Sequence, residues 1–158
     1  MTTPKFILAL REKIGHDLLW MPGITAVVLD DADRILLVRR ADNGRWSLPA
    51  GILEPGEQPA EAIVREIHEE TAVHTVVDRL VRVESLPPTA YPNGDQVQYL
   101  DLCFRCHPVG GEACVNDDES LEVAWFPLTD HPELHPREDL CIAAALANDP
   151  SPVLVSSH

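Results

Sequence analysis

Positive charge is scarce in this sequence: 12 Lys and Arg stand against 26 Asp and Glu, a formal net charge of −14 at pH 7. A field of that sign repels a nucleic-acid polymer, whose binders replace counterions with Lys and Arg. A small phosphorylated ligand stays admissible, because a bound divalent cation reverses the sign locally. Long apolar runs are missing too. None approaches the roughly 18 residues that a membrane helix needs. The start, Met-Thr-Thr-Pro-Lys-Phe, has no basic stretch leading to a hydrophobic one and a small-residue cleavage site. The expectation is a cytoplasmic protein with no membrane partner. Aromatics are few, at 5%, which leaves Ala, Val, Leu and Ile to build the core. Cysteine is limited to Cys103, Cys106, Cys114 and Cys141. Cys103 and Cys106 with His107 spell the C-x-x-C-H pattern of covalent haem attachment. They stand, however, in an alternating stretch (98–106) where residues three apart point to opposite faces of a strand. Four reduced, structural thiols are the reading.

What is present reads as one mixed α/β domain over residues 1–158, with a hydrophobic share of 45% and a charged share of 24%. A first helix is expected at about 4–16, with Thr3 as N-cap, Pro4 as first helical residue, Ile7, Leu10 and Ile14 on one face, and Gly15 to end it. Strand-like segments follow at 24–29 and 35–38, joined by a turn over 30–33 and closed by Arg39 and Arg40. Residues 58–71 read as a helix with Pro59 in its first turn and Ala60, Ile63, Val64 and Ile67 as its apolar stripe. Further strands are expected near 74–86, 97–107 and 121–127, separated by a Pro- and Gly-rich loop (86–96) and an acidic loop (109–120). Pro136 opens a last helix through Leu146. The tail, 149–158, carries two Pro and three Ser and is expected to be loose.

The segment with chemistry in it is 51–73. On a helix Glu66, Glu69 and Glu70 fall at i, i+3 and i+4 and share a face, where like charges repel. Ile63, Val64 and Ile67 pin another face to a core. A carboxylate cluster held in place calls for positive charge, and Mg²⁺ or Mn²⁺ with oxygen ligands is the natural source. By themselves three Glu are more often a solvated face, partly paired with Arg65. The flanks tip the balance. Gly51 lets the backbone approach a ligand closely, and Pro55-Gly56-Glu57 makes a second turn just before the helix.

Residues 51–73 resemble the Nudix box: Gly51, five residues, Glu57, seven residues, then Arg65-Glu66-Ile67-His68-Glu69-Glu70-Thr71-Ala72-Val73, with Ala72 where that pattern has Gly. The resemblance implies an α/β/α sandwich around a mixed β-sheet and hydrolysis of a diphosphate bond in a small nucleotide. It implies that the Gly51 carbonyl and Glu66, Glu69 and Glu70 bind the metal, and that Arg65 and Glu57 orient the loop against the helix. A further carboxylate from a later loop is Glu119, with Asp118 and Glu122 as rivals. The general base is Glu66 or Glu119, with Glu66 preferred. For the substrate, Pro88 and Tyr91 match two markers that point to different members of the family, ADP-ribose hydrolases and dinucleoside-polyphosphate hydrolases. Arg39 and Arg40 end a strand beside the expected site, Trp46 stacks on a base or packs in the core, and Tyr91 is a stacking residue. The leading expectation is a nucleoside diphosphate linked to a second moiety. A house-cleaning triphosphate pyrophosphohydrolase and an inactive nucleotide-binding module are the alternatives, and a homodimer is left open.

Overall fold

A computed structural model describes residues 3–157. Along the chain run α1 (Lys5–Ile14), β1 (Leu19–Val28), β2 (Arg34–Arg40), β3 (Trp46–Ser47), β4 (Ala50–Ile52), α2 (Pro59–Thr71), β5 (His74–Ser85), β6 (Thr89–Ala90), β7 (Gln96–Gly110), β8 (Ser120–Pro127), α3 (Pro136–Leu146) and β9 (Val153–Leu154). The larger sheet has the order β4-β1-β7-β5-β9, with β6 added to β7; the smaller has the order β3-β2-β8. Strands β1 and β7 run parallel from Leu19↔Val97 to Val28↔Cys106, while β4 pairs with β1, and β5 with β7, antiparallel. The larger sheet is therefore mixed.

Strand alternation divides the core. Ile24, Ala26, Val28, Phe104 and Cys106 face α2, where they pack with Ala62, Ile63 and Ile67. Val27, Leu29 and Cys103 face the other way and pack with Cys141, Ile142, Ala144 and Ala145 of α3. A helix covers each face, giving the α/β/α sandwich expected. Cys103 and Cys106 lie on opposite faces, as strand geometry requires, and all four cysteines are free thiols.

Several boundaries differ from expectation. Pro4 (φ −56°, ψ 143°) is the extended N-cap of α1, with no side-chain cap, so Thr3 does not cap the helix. In α2 the buried stripe is Ala62, Ile63, Ile67 and Thr71; Ala60 is exposed. Strand β1 begins at Leu19, well before Ile24, because β7 supplies a parallel partner along its whole length. The tail is fastened where Val153 and Leu154 pair with Arg82 and Val83; His158, its last residue, lies outside the described residues. Helix α1 is tied down by Arg11, whose guanidinium donates to the carbonyls of Gly15, Asp17 and Gln96.

Candidate active site

Helix α2 and strand β4 meet at the edge of the larger sheet. Ile63 and Ile67 are fully buried, and that anchorage fixes where the glutamates on the neighbouring face must point. Glu66 lies against the backbone of Gly51: a Cβ on Gly51 would be 2.3 Å from the Glu66 carboxyl carbon. Any side chain there would push this carboxylate away from the strand. Burial, the largest influence, and Glu69 push the Glu66 carboxyl up to about 7 against the pull of Arg65. Glu70 is buried, at 8% exposure. It accepts a hydrogen bond from the Ala50 amide, yet burial, Glu66 and Asp117 hold its carboxyl well above the ordinary range. Its Oε2 is buried without a hydrogen-bond partner.

Arg65 organises the rim. Its Nε and Nη2 donate to both oxygens of Glu57 at 2.6 and 3.1 Å, and its Nη1 donates to Glu69 at 2.9 Å. The same Nη1 lies 3.1 Å from Glu66 Oε1. The guanidinium holds the Glu57 carboxyl below its usual value, and so ties the turn before α2 to the helix. Glu69 is half-exposed and turned to Arg65.

The loop ahead of β8 is latched onto the C-terminal end of α2. The Cys114 amide donates to Thr71 O at 3.0 Å, the Asn116 amide to Glu70 O at 3.3 Å and the Asn116 side chain to His68 O at 2.9 Å. The first two satisfy carbonyls that a helix end leaves open, and the third adds to His68 O, which also accepts from the Ala72 amide. Ala72 follows in the left-handed region (φ 61°, ψ 6°). Glu119 closes this loop: its carbonyl accepts from the Ala41 amide at 2.7 Å and its own amide donates to Asp117 Oδ1 at 3.1 Å. Glu119 and Asp118 both line the cleft. Glu122 sits on β8 opposite Arg39, which donates to it at 2.5 Å.

The cleft has a volume of about 990 Å³. Gly51, Glu70 and Glu119 are on its lining, as are Arg40 and Tyr91. Arg40 is held by both oxygens of Asp42. The Tyr91 hydroxyl lies 2.9 Å from that of Tyr99. Arg39, Trp46, Glu66 and Glu69 are not on the lining; Trp46 stands edge-on to Phe126 at 4.9 Å, packed against the core beneath α3. Three further residues on the lining, Thr25, Asp101 and Arg137, were not singled out by sequence reasoning. The available signal was a charged residue, Asp101, two places from Cys103 and so on the same inward face of an otherwise apolar strand.

The donors fit a hard divalent cation. They are carboxylates and a carbonyl, they repel one another, and one buried oxygen of Glu70 lacks a partner. Among the described residues no three His, Cys, Asp or Glu side chains are already drawn together as a metal site. Glu69 in particular would have to turn from Arg65 to join Glu66 and Glu70.

Residues 19–145 match the model of the NUDIX domain family. A MutT-like protein of Streptomyces ambofaciens is 39% identical over 104 residues, which is 66% of this chain and 62% of that one. The human 8-oxo-dGDP phosphatase NUDT18 is 36% identical over 69% of this chain and 33% of its own length. The chain thus spans less than two thirds of the length of either relative. An ADP-ribose pyrophosphatase of Methanocaldococcus jannaschii is 36% identical over 82% of this chain and 76% of its own. Among solved structures, a NUDIX hydrolase from Nitrosomonas europaea superposes with a TM-score of 0.66 at 27% identity, covering 85% of this chain and 94% of that one.

Proposed function

The chain belongs to the NUDIX domain family, and from that premise we propose that it is a Mg²⁺- or Mn²⁺-dependent hydrolase cleaving a diphosphate bond in a small nucleotide. The observation that carries this reading is the contact of the Gly51 backbone with Glu66, beside the partnerless buried oxygen of Glu70. Gly51 O, Glu66, Glu69 and Glu70 are the residues that would hold the metal, with Glu119 across the cleft. Such an ion neutralises diphosphate oxygens and acidifies water. The chain's own residues do the rest. Arg65 and Glu57 set the angle between loop and helix. Glu66, against the strand that lines the cleft, takes the proton from the attacking water, and Glu119 is the other candidate for that task. Arg40 lies on the cleft wall within the region open to phosphate, and Tyr91 offers a face to a base or sugar.

A nucleoside diphosphate joined to a second moiety is the leading substrate, supported by the ADP-ribose pyrophosphatase relative and by Tyr91 on the cleft. A purine nucleoside di- or triphosphate is the second reading, favoured by the likeness to NUDT18. Turnover of ADP-ribose, a diadenosine polyphosphate, a nucleoside triphosphate and 8-oxo-dGDP, with Mg²⁺ and with Mn²⁺, ranks them. Glu66→Gln should lower kcat at least a hundredfold on the best substrate, and Glu119→Gln should cost less. The reverse order would make Glu119 the base. Absence of turnover on every diphosphate would overturn the reading.

A further inference from the structure

The sheet face beneath α3 is apolar along Val27, Leu29, Val81 and Cys103, then turns polar where it becomes the floor of the cleft. Thr25 and Asp101 are 3% and 4% exposed there. Thr25 Oγ1 donates to Asp101 Oδ1 at 2.9 Å, and Arg137 of α3 donates to Asp101 Oδ2. Behind them Arg137 lies 3.7 Å from Glu84, which Arg82 also pairs. Two carboxylates face two guanidiniums, so the cluster has little net charge to offer a phosphate. What it presents is a donor and an acceptor side by side. Buried ion pairs are weak contributors to stability compared with well-packed apolar residues, so helix anchorage alone does not explain this one at a ligand cleft.

Arg137 Nε, though buried without a hydrogen bond, is turned to Glu84 Oε1 at 3.7 Å. One detail directs the cluster towards a ligand. Gly23, paired with Asp101 across the β1–β7 ladder, leaves space beside the carboxylate: a Cβ there would be 3.2 Å from both Asp101 Oδ1 and the Tyr99 ring. Distance fits as well. Gly51 pairs with Ile24, and Ile24 with Leu102, so β7 lies two strand spacings from Gly51, about 10 Å. That is the reach of a nucleoside 5′-phosphate from phosphate to base, and a purine extends one ring further than a pyrimidine.

We infer that Asp101, held by Thr25 and Arg137, reads the hydrogen-bonding edge of a purine base on the cleft floor and is a specificity-determining residue of this site. The inference rests on the nucleotide reading above, but its test needs neither metal nor turnover. Guanine brings an acceptor beside ring and amino N–H donors, and adenine an amino donor beside a ring acceptor; both suit an Asp–Arg edge, whereas cytosine carries the adenine-like pair one ring short of it. A site built to bond such an edge rejects a ligand lacking it, because its buried polar groups are left unpaired.

Calorimetry with GMP, AMP, CMP and ribose 5-phosphate, without divalent metal, tests the assignment. The wild-type chain should bind GMP or AMP at least tenfold more tightly than CMP or ribose 5-phosphate, and the better of the two identifies the edge read. Asp101→Asn should weaken that purine tenfold or more and leave ribose 5-phosphate within twofold. Gly23→Ala, which keeps the ion pairs and crowds the space beside the carboxylate, should weaken the purine selectively too, and it decides the matter if Asp101→Asn does not fold. No purine preference in the wild type, a preference untouched by the substitutions, or an equal loss for ribose 5-phosphate would each overturn the inference. Purine preference without diphosphate cleavage would instead leave it standing and count against the proposed activity.

Discussion

Ala72 occupies the left-handed backbone region at φ 61°, where a Cβ crowds the chain and costs roughly 1–2 kcal/mol. Ala72→Gly relieves this, and part of the gain is lost to the freer unfolded chain. The net expectation is a stabilisation of about 0.5–1 kcal/mol, read as a rise in Tm of about 1–4 °C for a domain of this size. Glu66 sets a pH dependence of opposite sign to the usual carboxylate. Its folded value of about 7 lies above the unfolded 4.5, so between those values the folded state binds more protons. Metal-free protein should therefore lose stability as pH rises from 4.5 through 7, with a slope of at most about 1.4 kcal/mol per pH unit from this group. Thermal melts in chelator across pH 5–8 would show it, and Glu66→Gln should flatten the curve. If the slope survives the substitution, its source is the other carboxyls that burial pushes up, Glu70, Asp101 and Glu138. At Tyr91 the expectation concerns ranking: loss of a stacking ring costs roughly 1–3 kcal/mol. Tyr91→Ala should cut kcat/KM roughly tenfold to a hundredfold for substrates that reach it and spare those that do not, and an equal fall on all would make the Tyr91–Tyr99 contact structural.

At the scale of elements, the latch between the 111–119 loop and the end of α2 is the joint on which Glu119 depends. Gly111 (φ 79°) makes it close: a Cβ there would be 2.3 Å from the Ala72 carbonyl oxygen. Gly111→Ala should destabilise the chain by about 1–3 kcal/mol and speed amide exchange at Cys114 and Asn116. Gly44→Ala, at φ 71° with nothing within 4 Å of the added carbon, isolates the backbone strain, so a matching loss in both would mean the latch is not tight. The parts of this site legible in the sequence are local ones. Glu57 through Glu70 lie on one turn and one helix, and helical spacing alone puts the three glutamates on a shared face. Arg39 and Arg40 show where that ends: alternation says they point apart, but only the pairing with β8, where Arg39 meets Glu122 and the register shifts, decides which one lines the cleft. Trp46 announces an aromatic and not its neighbour, Phe126. Asp101 shows in the sequence only as a charge on an inward strand face, because its partners Thr25 and Arg137 are remote in the chain. The strands β3, β4, β6 and β9 are two or three residues long, too short to carry a period.

For the whole molecule, charge dominates. With a net −14 the folded chain repels itself, and a cation bound only by the folded state stabilises it by about 2.7 kcal/mol at a hundred times its dissociation constant. Millimolar Mg²⁺ should raise Tm beyond what NaCl of equal ionic strength achieves, and Glu70→Gln should remove most of the difference. Equal effects of the two salts would reduce the ion to mere screening. The described residues contain no helix long and apolar enough to cross a membrane.

The parallel ladder between β1 and β7 has a kinetic meaning. Its partners are separated by all of residues 29–95, so the chain must close a long loop before any rung rewards it. Such non-local pairing is slow to form, and Gly23, Ile24 and Thr25 meet Asp101 and Leu102 only through it. The binding cleft is therefore expected to be the last part of the protein to appear. In refolding followed by pulsed hydrogen exchange, α2 should gain protection early, while the amides of 24–27 and 102–105 should lock in only with the final, rate-limiting phase.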